Sequence, residues 1–284
     1  MAVKHKIGLV DMGGGMRGIY GAGVLDYCME QDILFDYCVG VSAGSANITS
    51  YLAGQHGRNY KFYTEYAFRK EYMSVGNLIK KHNYVNLEYI YGILSNSDGE
   101  YPLDYNAMMS CRSVFRIVAM NALTGEPYYF DKSDMHQDDY GAIKASSCVP
   151  AVNLPYIIED IPYFDGGMTD PLPFERCFAA GCDRVVLILT RPKTYRRKPD
   201  RDRVIAGLLQ HSYPQAADRM RHRADIYNLQ LETALRLERA GRLLIVAPDN
   251  IGKMKTLTKD KQTVIGLYHK GKSDAEVIKQ FVNG

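Results

Sequence analysis

Apolar and polar positions in this chain change period several times, and each change marks an element. Residues 6–10, with a short continuous apolar run over 7–10, read as a buried first strand, followed by the glycine-rich stretch 11–18. From Ile19 to about Glu30 the apolar positions Val24, Leu25 and Cys28 recur at helical spacing. Phe35, Tyr37, Val39 and Val41 then form a second β-rich run, and Ala43, Ala46, Ile48 and Leu52 return to helical spacing. Two consecutive strand–helix units predict a parallel sheet covered by helices.

Beyond residue 54 the chain is rich in tyrosine, with helical spacing over residues 58–69 and 85–94; these aromatics read as helix-packing core or as a cap over an acyl pocket. Residues 115–121 and 128–131 flank Thr124-Gly125-Glu126-Pro127 as a hairpin, and residues 157–158 and 161–164 flank Glu159-Asp160 as a second one. A small-residue helix is expected over 140–149, ended by Pro150, with Ser146 and Ser147 inside it. Pro173 opens a helix to Ala180, residues 184–190 form a buried strand, 215–240 a long arginine-rich helix and 242–247 a last strand. Past Pro248 the composition turns lysine-rich and polar. Helices are expected there over 258–268 and 273–282, the second opening with a Ser273-x-x-Glu276 capping box. This divides the chain into a main domain, 1–247, and a small helical C-terminal appendage, 248–284.

Composition narrows the classes. A chain of 284 residues with 24% charged and 46% apolar positions is long enough to bury a sizeable core and too apolar to be disordered. A net charge of +3 is too mild to argue for nucleic acid. No apolar run reaches a membrane span, and the N-terminal one is too short for a signal peptide. The six cysteines show no C-x-x-C pairing and lie mostly in apolar elements, as reduced, buried residues of a cytoplasmic protein would.

The candidate chemistry centres on Gly40-x-Ser42-x-Gly44, where strand turns sharply into helix. Such a turn strains the serine backbone, needs glycines on either side for close approach, and presents the hydroxyl at a helix N-terminus. Gly13-x-Gly15-x-x-Gly18 matches the dinucleotide fingerprint. That reading requires an acid at the end of the second strand, whereas Asp32 and Asp36 lie before it or at its start. The backbone N–H groups of Gly13, Gly14 and Gly15 alternatively form an anion-binding concavity beside Ser42, able to hold an oxyanion. Arg17 either adds positive charge for an anionic group or is a solvated surface residue.

Asp165, before Gly166 and Gly167, is either a turn residue or a general base facing the serine. A Ser–acid–His order is available through His211, His222 or His269, yet each reads as a surface histidine, His222 lying among arginines 219, 221 and 223. Asp165 acting directly on Ser42 is therefore the economical assignment. The acids Asp131, Asp134, Asp138 and Asp139 lack EF-hand spacing and read as a helix-capping surface loop. Residues 191–203 carry seven basic side chains, read as a solvated mobile loop or as a patch for anionic headgroups.

Taken in order, the motifs at residues 13–18, 40–44 and 165–167, with the stretch 145–155, resemble the patatin-like phospholipase family. The resemblance implies a three-layer α/β/α fold with a mostly parallel central sheet and a Ser-Asp dyad, Ser42 as nucleophile and Asp165 as proton acceptor. Gly13, Gly14 and Gly15 would be the oxyanion hole, supported by Arg17, Gly18, Gly40, Gly44, Gly166 and Gly167. It further implies hydrolysis of lipid esters, free or at a membrane surface, with neither metal nor cofactor. One departure is Met12, where bacterial relatives often carry an acid; here Asp11 stands one place earlier. Two rival readings remain open, a catalytically silent lipid- or protein-binding module and a nicotinamide dinucleotide binder.

Overall fold

A computed structural model describes residues 5–74, 76, 77, 79 and 83–284; of the N-terminal stretch read for a leader, residues 1–4 lie outside it. Eight strands form one sheet: β1 (Ile7–Asp11), β2 (Tyr37–Val41), β3 (Val114–Asn121), β4 (Pro127–Asp131), β5 (Tyr156–Ile158), β6 (Ile161–Asp165), β7 (Arg184–Ile188) and β8 (Leu243–Val246). The order is β5-β6-β3-β2-β1-β7-β8, with β4 also on β3. β3, β2, β1, β7 and β8 run parallel, while β4, β5 and β6 are antiparallel additions.

Alternation along the central strands divides the interior into two cores. Leu9, Cys38, Ile117, Val186 and Ile188 face one side and Val10, Val39, Val118, Val185 and Leu187 the other, all fully buried. Helices α1 (Ile19–Glu30) and α2 (Ala43–Leu52) cover the first side; the Phe174–Ala179 helix packs on β1, β2 and β7, and the Pro214–Arg239 helix on β8. The fold is thus α/β with helices on both faces of a mostly parallel sheet.

β3 carries the arrangement on which the site depends. Its residues 114–118 pair with β2 up to Val41↔Val118. Its residues 119–121 pair with β6, starting at Ala119↔Asp165. β4 takes Arg116 to Met120 along the other edge, so β2 and β6 share one edge of β3 and meet end to end. The residue after β2 and the last residue of β6 are therefore neighbours, although 123 positions separate Ser42 from Asp165.

Several expected elements shift. The helix expected over 58–69 is α3 (Arg58–Thr64) followed by a 3-10 turn, and that over 85–94 contains one π-helical turn, Tyr89–Ile93. The tail helices are Lys261–Asp274 and Glu276–Asn283. Asp260 caps the first through Gln262 N–H; Ser273 lies inside that helix, so the capping box expected for the second does not form, and the second starts from Ala275 with no side-chain cap. Asp131 and Asp134 do form a capping box, on the turn Lys132–Asp134.

The Lys261–Asp274 helix lies directly on α1. A Cβ at Gly23 would collide with the Tyr268 carbonyl, and one at Gly271 with that of Tyr20, so the two backbones approach as only glycine allows. Tyr268 donates to Asp26 at 2.6 Å and Tyr20 to Asp274 at 2.8 Å, fastening both ends of the contact. Gly23→Ala is expected to lower the stability of the whole chain by about 1–3 kcal/mol, as overpacking does. The check is a lower urea midpoint at unchanged slope; an unmoved midpoint contradicts this packing.

Candidate active site

Ser42 follows β2 with φ 56° and ψ −132°, a conformation costly for any residue with a Cβ. The turn survives because its neighbours are small. A Cβ at Gly40 would strike the Ser45 backbone, and one at Gly44 the Asp11 carbonyl. The Ser42 N–H donates to Ser146 Oγ at 2.8 Å, and Ser146 Oγ–H donates to the Val118 carbonyl at 2.6 Å. Ser146 thus bridges the gap in the ladder where β2 stops, and its small-residue helix, Gly141–Ser146, brings it there.

Asp165 ends β6 at 4% exposure. Its Oδ1 accepts the Gly167 N–H at 2.8 Å, and a Cβ at Gly166 would collide with the Val118 carbonyl. Burial raises the carboxyl above its ordinary range; the Arg223 charge, the nearby Ser42 hydroxyl and the Gly167 N–H pull it down. The serine and aspartate side chains therefore meet at the junction of β2, β3 and β6. Arg223, on the Pro214–Arg239 helix, donates through Nε to the Gly167 carbonyl at 2.5 Å and lies 3.8 Å from Asp202. Asp202 is 1% exposed and also takes two hydrogen bonds of 2.6 Å from Arg197.

The glycine loop is held from three sides. Gly13, Gly14 and Gly15 have φ values of 63°, 127° and 60°, open to glycine alone without strain. Gly13 N–H donates to Asp11 Oδ1 at 2.9 Å, and the Gly13 carbonyl accepts from Thr190 Oγ1 at 2.6 Å. Because the peptide is planar and trans, fixing that carbonyl turns the Gly14 N–H away from Thr190. From the tail, the Thr256 carbonyl accepts the Met16 N–H at 2.9 Å, and Thr256 Oγ1 accepts from Arg17 Nη1 at 2.9 Å. The Gly14 and Gly15 N–H groups donate to no other group among the described residues.

Residues 9–178, more than half of the chain, match the family model for patatin-like phospholipase. The chain belongs to the patatin-like phospholipase family. Residues 213–280 match a second model, a domain of unknown function. The uncharacterized protein YjjU of Escherichia coli (strain K12) is 29% identical over 192 residues, which are 66% of this chain and 52% of that protein, so the chain spans about half of this relative's length. The crystal structure of VipD from Legionella pneumophila matches with a TM-score of 0.49 and 12% identity, over 99% of this chain and 67% of that one.

Within this patatin-like chain the sequence-based candidates fare differently. Ser42, Asp165 and the glycine loop come together, but the Gly13 N–H is taken by Asp11, which leaves two open donors rather than three. Gly18 sits where a Cβ would strike the Tyr63 hydroxyl, and Gly167 beside Arg223. Arg17 is no solvated residue: it is 7% exposed, and burial, with Arg191 and Arg197 nearby, pushes its pKa down to about 10. Residues 191–203 are likewise organised, with Arg191 stacked 4.3 Å over Tyr195, Lys193 on Glu238, Arg197 on Asp202, and a helix starting at Asp200. Histidines 211, 222 and 269 are all exposed. Ser146, Thr190 and Arg223 were not assigned a role from the sequence, since each acts through a backbone group far from it in the chain; Asp11, which acts on Gly13 two residues on, carried a signal only as the displaced acid.

Asp11 is wholly buried and held by Gly13 and by Asn47 Nδ2 at 2.9 Å; burial still pushes its carboxyl up to about 6. The unfolded chain loses this proton near pH 4, so between about pH 4 and 6 the folded state binds more protons and this group's share of stability falls as pH rises. Asp11→Asn cannot titrate. Its stability relative to the parent is expected to improve by about 2–3 kcal/mol from pH 4 to pH 7 in urea unfolding, and a flat difference contradicts the burial described. Thr190→Val, which frees the Gly13 carbonyl, is expected to lower kcat by about tenfold on any ester the protein cleaves, with KM little changed.

Proposed function

We propose that this chain is a serine acyl hydrolase that cleaves carboxylic esters of lipids through an acyl-enzyme. The observation that carries the reading is the meeting of a strained serine and a buried aspartate beneath a loop with two open N–H donors, while His211, His222 and His269 lie at the surface. Membership of the patatin-like phospholipase family supports lipid hydrolysis in general. The Ser-Asp dyad and its oxyanion hole are the finer part of the proposal.

Ser42 Oγ attacks the ester carbonyl carbon as its proton passes to Asp165. The carbonyl oxygen becomes an oxyanion facing the Gly14 and Gly15 N–H groups. Collapse of the intermediate breaks the ester C–O bond, and the departing alkoxide takes the proton from Asp165. Water then gives a proton to Asp165 and attacks the acyl carbon, releasing the acid and restoring the Ser42 hydroxyl. A carboxylate is a weak base toward a hydroxyl. Burial, by raising its proton affinity, narrows that gap, and the Arg223 charge works in the other direction, favouring the ionised form. No helix among the described residues is long and apolar enough to cross a membrane. On this reading the lipid comes to the protein, singly or at a membrane surface, in the cytoplasm.

A fluorophosphonate probe is expected to label Ser42, and Ser42→Ala and Asp165→Asn each to lower ester turnover by at least about a thousandfold. His211→Ala, His222→Ala and His269→Ala should retain it. A folded protein unlabelled at Ser42, or loss of turnover in a histidine variant, overturns the dyad. The base must be ionised, so activity is lost as pH falls through the raised pKa of Asp165. Arg223→Gln removes the charge that holds this pKa down, and the acid limb of kcat/KM is expected to move to higher pH; Arg223→Lys should leave it nearer its original place.

A further inference from the structure

A narrow pocket opens between the glycine loop and the start of α2, lined at one end by Gly15 and Ala43 and along its length by Ala46, Phe62, Tyr63 and Ile90. Its lining is mostly apolar, as an acyl chain would require. One lining residue breaks the pattern. Arg58, first residue of α3, is 6% exposed, yet its guanidinium stands among tyrosines and serines. Nη1 donates to Ser50 Oγ at 3.1 Å, and Nη2 to Ser95 Oγ at 2.9 Å and to the Tyr101 carbonyl at 3.2 Å. Phe62 and Tyr101 face it, 4.5 Å and 5.6 Å from ring centre to guanidinium carbon.

Every one of these partners is neutral, and Nε is buried with no hydrogen-bond partner among the described residues. Neutral acceptors could be tied together by an uncharged donor. A buried cation without a counter-ion is costly, and its pKa, pushed down to about 10 by burial, still leaves it charged at neutral pH. The position completes the picture. Ala43, Ala46, Asn47 and Ser50 follow one stripe of α2 at helical spacing, and Arg58 rests on the last of them. Seven residues from Ala43 to Ser50, at about 1.5 Å each, place it roughly 10 Å down the helix from Ser42's neighbour, the reach of a chain of about eight carbons.

We infer that this pocket takes an acyl chain ending in an acidic group, with Arg58 as its receptor, so that the preferred substrate class is the ester of a medium-length dicarboxylic acid. A carboxylate at the far end of the chain would supply the missing counter-charge to the guanidinium. An ordinary fatty chain would leave that charge unpaired against a methyl group. The inference rests on Ser42 being the acyl-accepting residue.

The test compares the 4-nitrophenyl ester of octanoic acid with the mono-4-nitrophenyl ester of suberic acid, on the full chain. The parent protein is expected to prefer the suberate ester by about tenfold or more in kcat/KM, carried mainly by KM. Arg58→Met should reverse that order while still cleaving the octanoate ester, and Arg58→Lys should keep part of it. Hydrolysis of both esters with no preference for the acidic one overturns the inference and leaves the hydrolase reading standing. If neither ester is cleaved, the hydrolase reading fails and binding decides the pocket: monomethyl suberate must raise the melting temperature more than methyl octanoate does, and the excess must vanish in Arg58→Met. Equal shifts overturn the inference, and the parent protein's own choice between the two ligands requires no variant to fold.

Discussion

The edge of β3 is too long for β2 alone, and β6 fills what remains from the opposite direction. Two strands that abut on one edge must each stop where the other begins, and a stopped strand leaves a turn. One turn carries Ser42 and the other Asp165. Backbone register, rather than any attraction between the two side chains, sets their proximity, because the pairing Val41↔Val118 and Ala119↔Asp165 allows no slip without turning every apolar side chain to the wrong face. The groups that seal the junction are correspondingly small: Gly166 against Val118, Gly40 against Ser45, and a serine hydroxyl from the Gly141–Ser146 helix standing in for the missing ladder bond.

Around that junction the protein keeps charges where they are expensive. Asp165, Arg223, Asp202 and Arg197 form an alternating series running from the site to the basic segment 191–203. Alternation lets each buried charge offset the next, so the carboxylate facing the serine can be dry without becoming permanently protonated. Asp11 does comparable service for the glycine loop, accepting one glycine N–H while the next two stay free. On the hydrolase reading proposed above, rigidity of this kind matters because oxyanion donors help only if they are aimed before charge develops.

Much of this was legible in the chain. Period changes located the strands and α2, and the Gly-x-Ser-x-Gly turn carried its own geometry, since small residues on both sides of a serine leave few other uses. Asp165 could be read only as a choice between turn and base, because nothing local reveals that β6 runs antiparallel into the end of β2. Arg223 was hidden for a similar reason: it lies among arginines 219 and 221 in one helix, and only the third dimension shows which of them turns inward. In the basic stretch Arg196, Lys198, Arg201 and Arg203 are exposed, as a solvated segment would be, but Lys193 and Arg197 are held by Glu238 and Asp202, partners supplied by helices whose packing a composition count ignores. Ser273 had the spacing of a cap, yet Asp260 begins the helix thirteen residues earlier.

The main-chain contact between Thr256 and the glycine loop ties a loop near the start of the protein to a residue 239 positions later than Arg17. On the ribosome, the first strands and the serine turn emerge long before that clamp exists. A nascent chain short of residue 256 has the serine turn but not the contact that holds Met16 and Arg17. Translation order thus leaves the glycine loop without this support until residue 256 has been made.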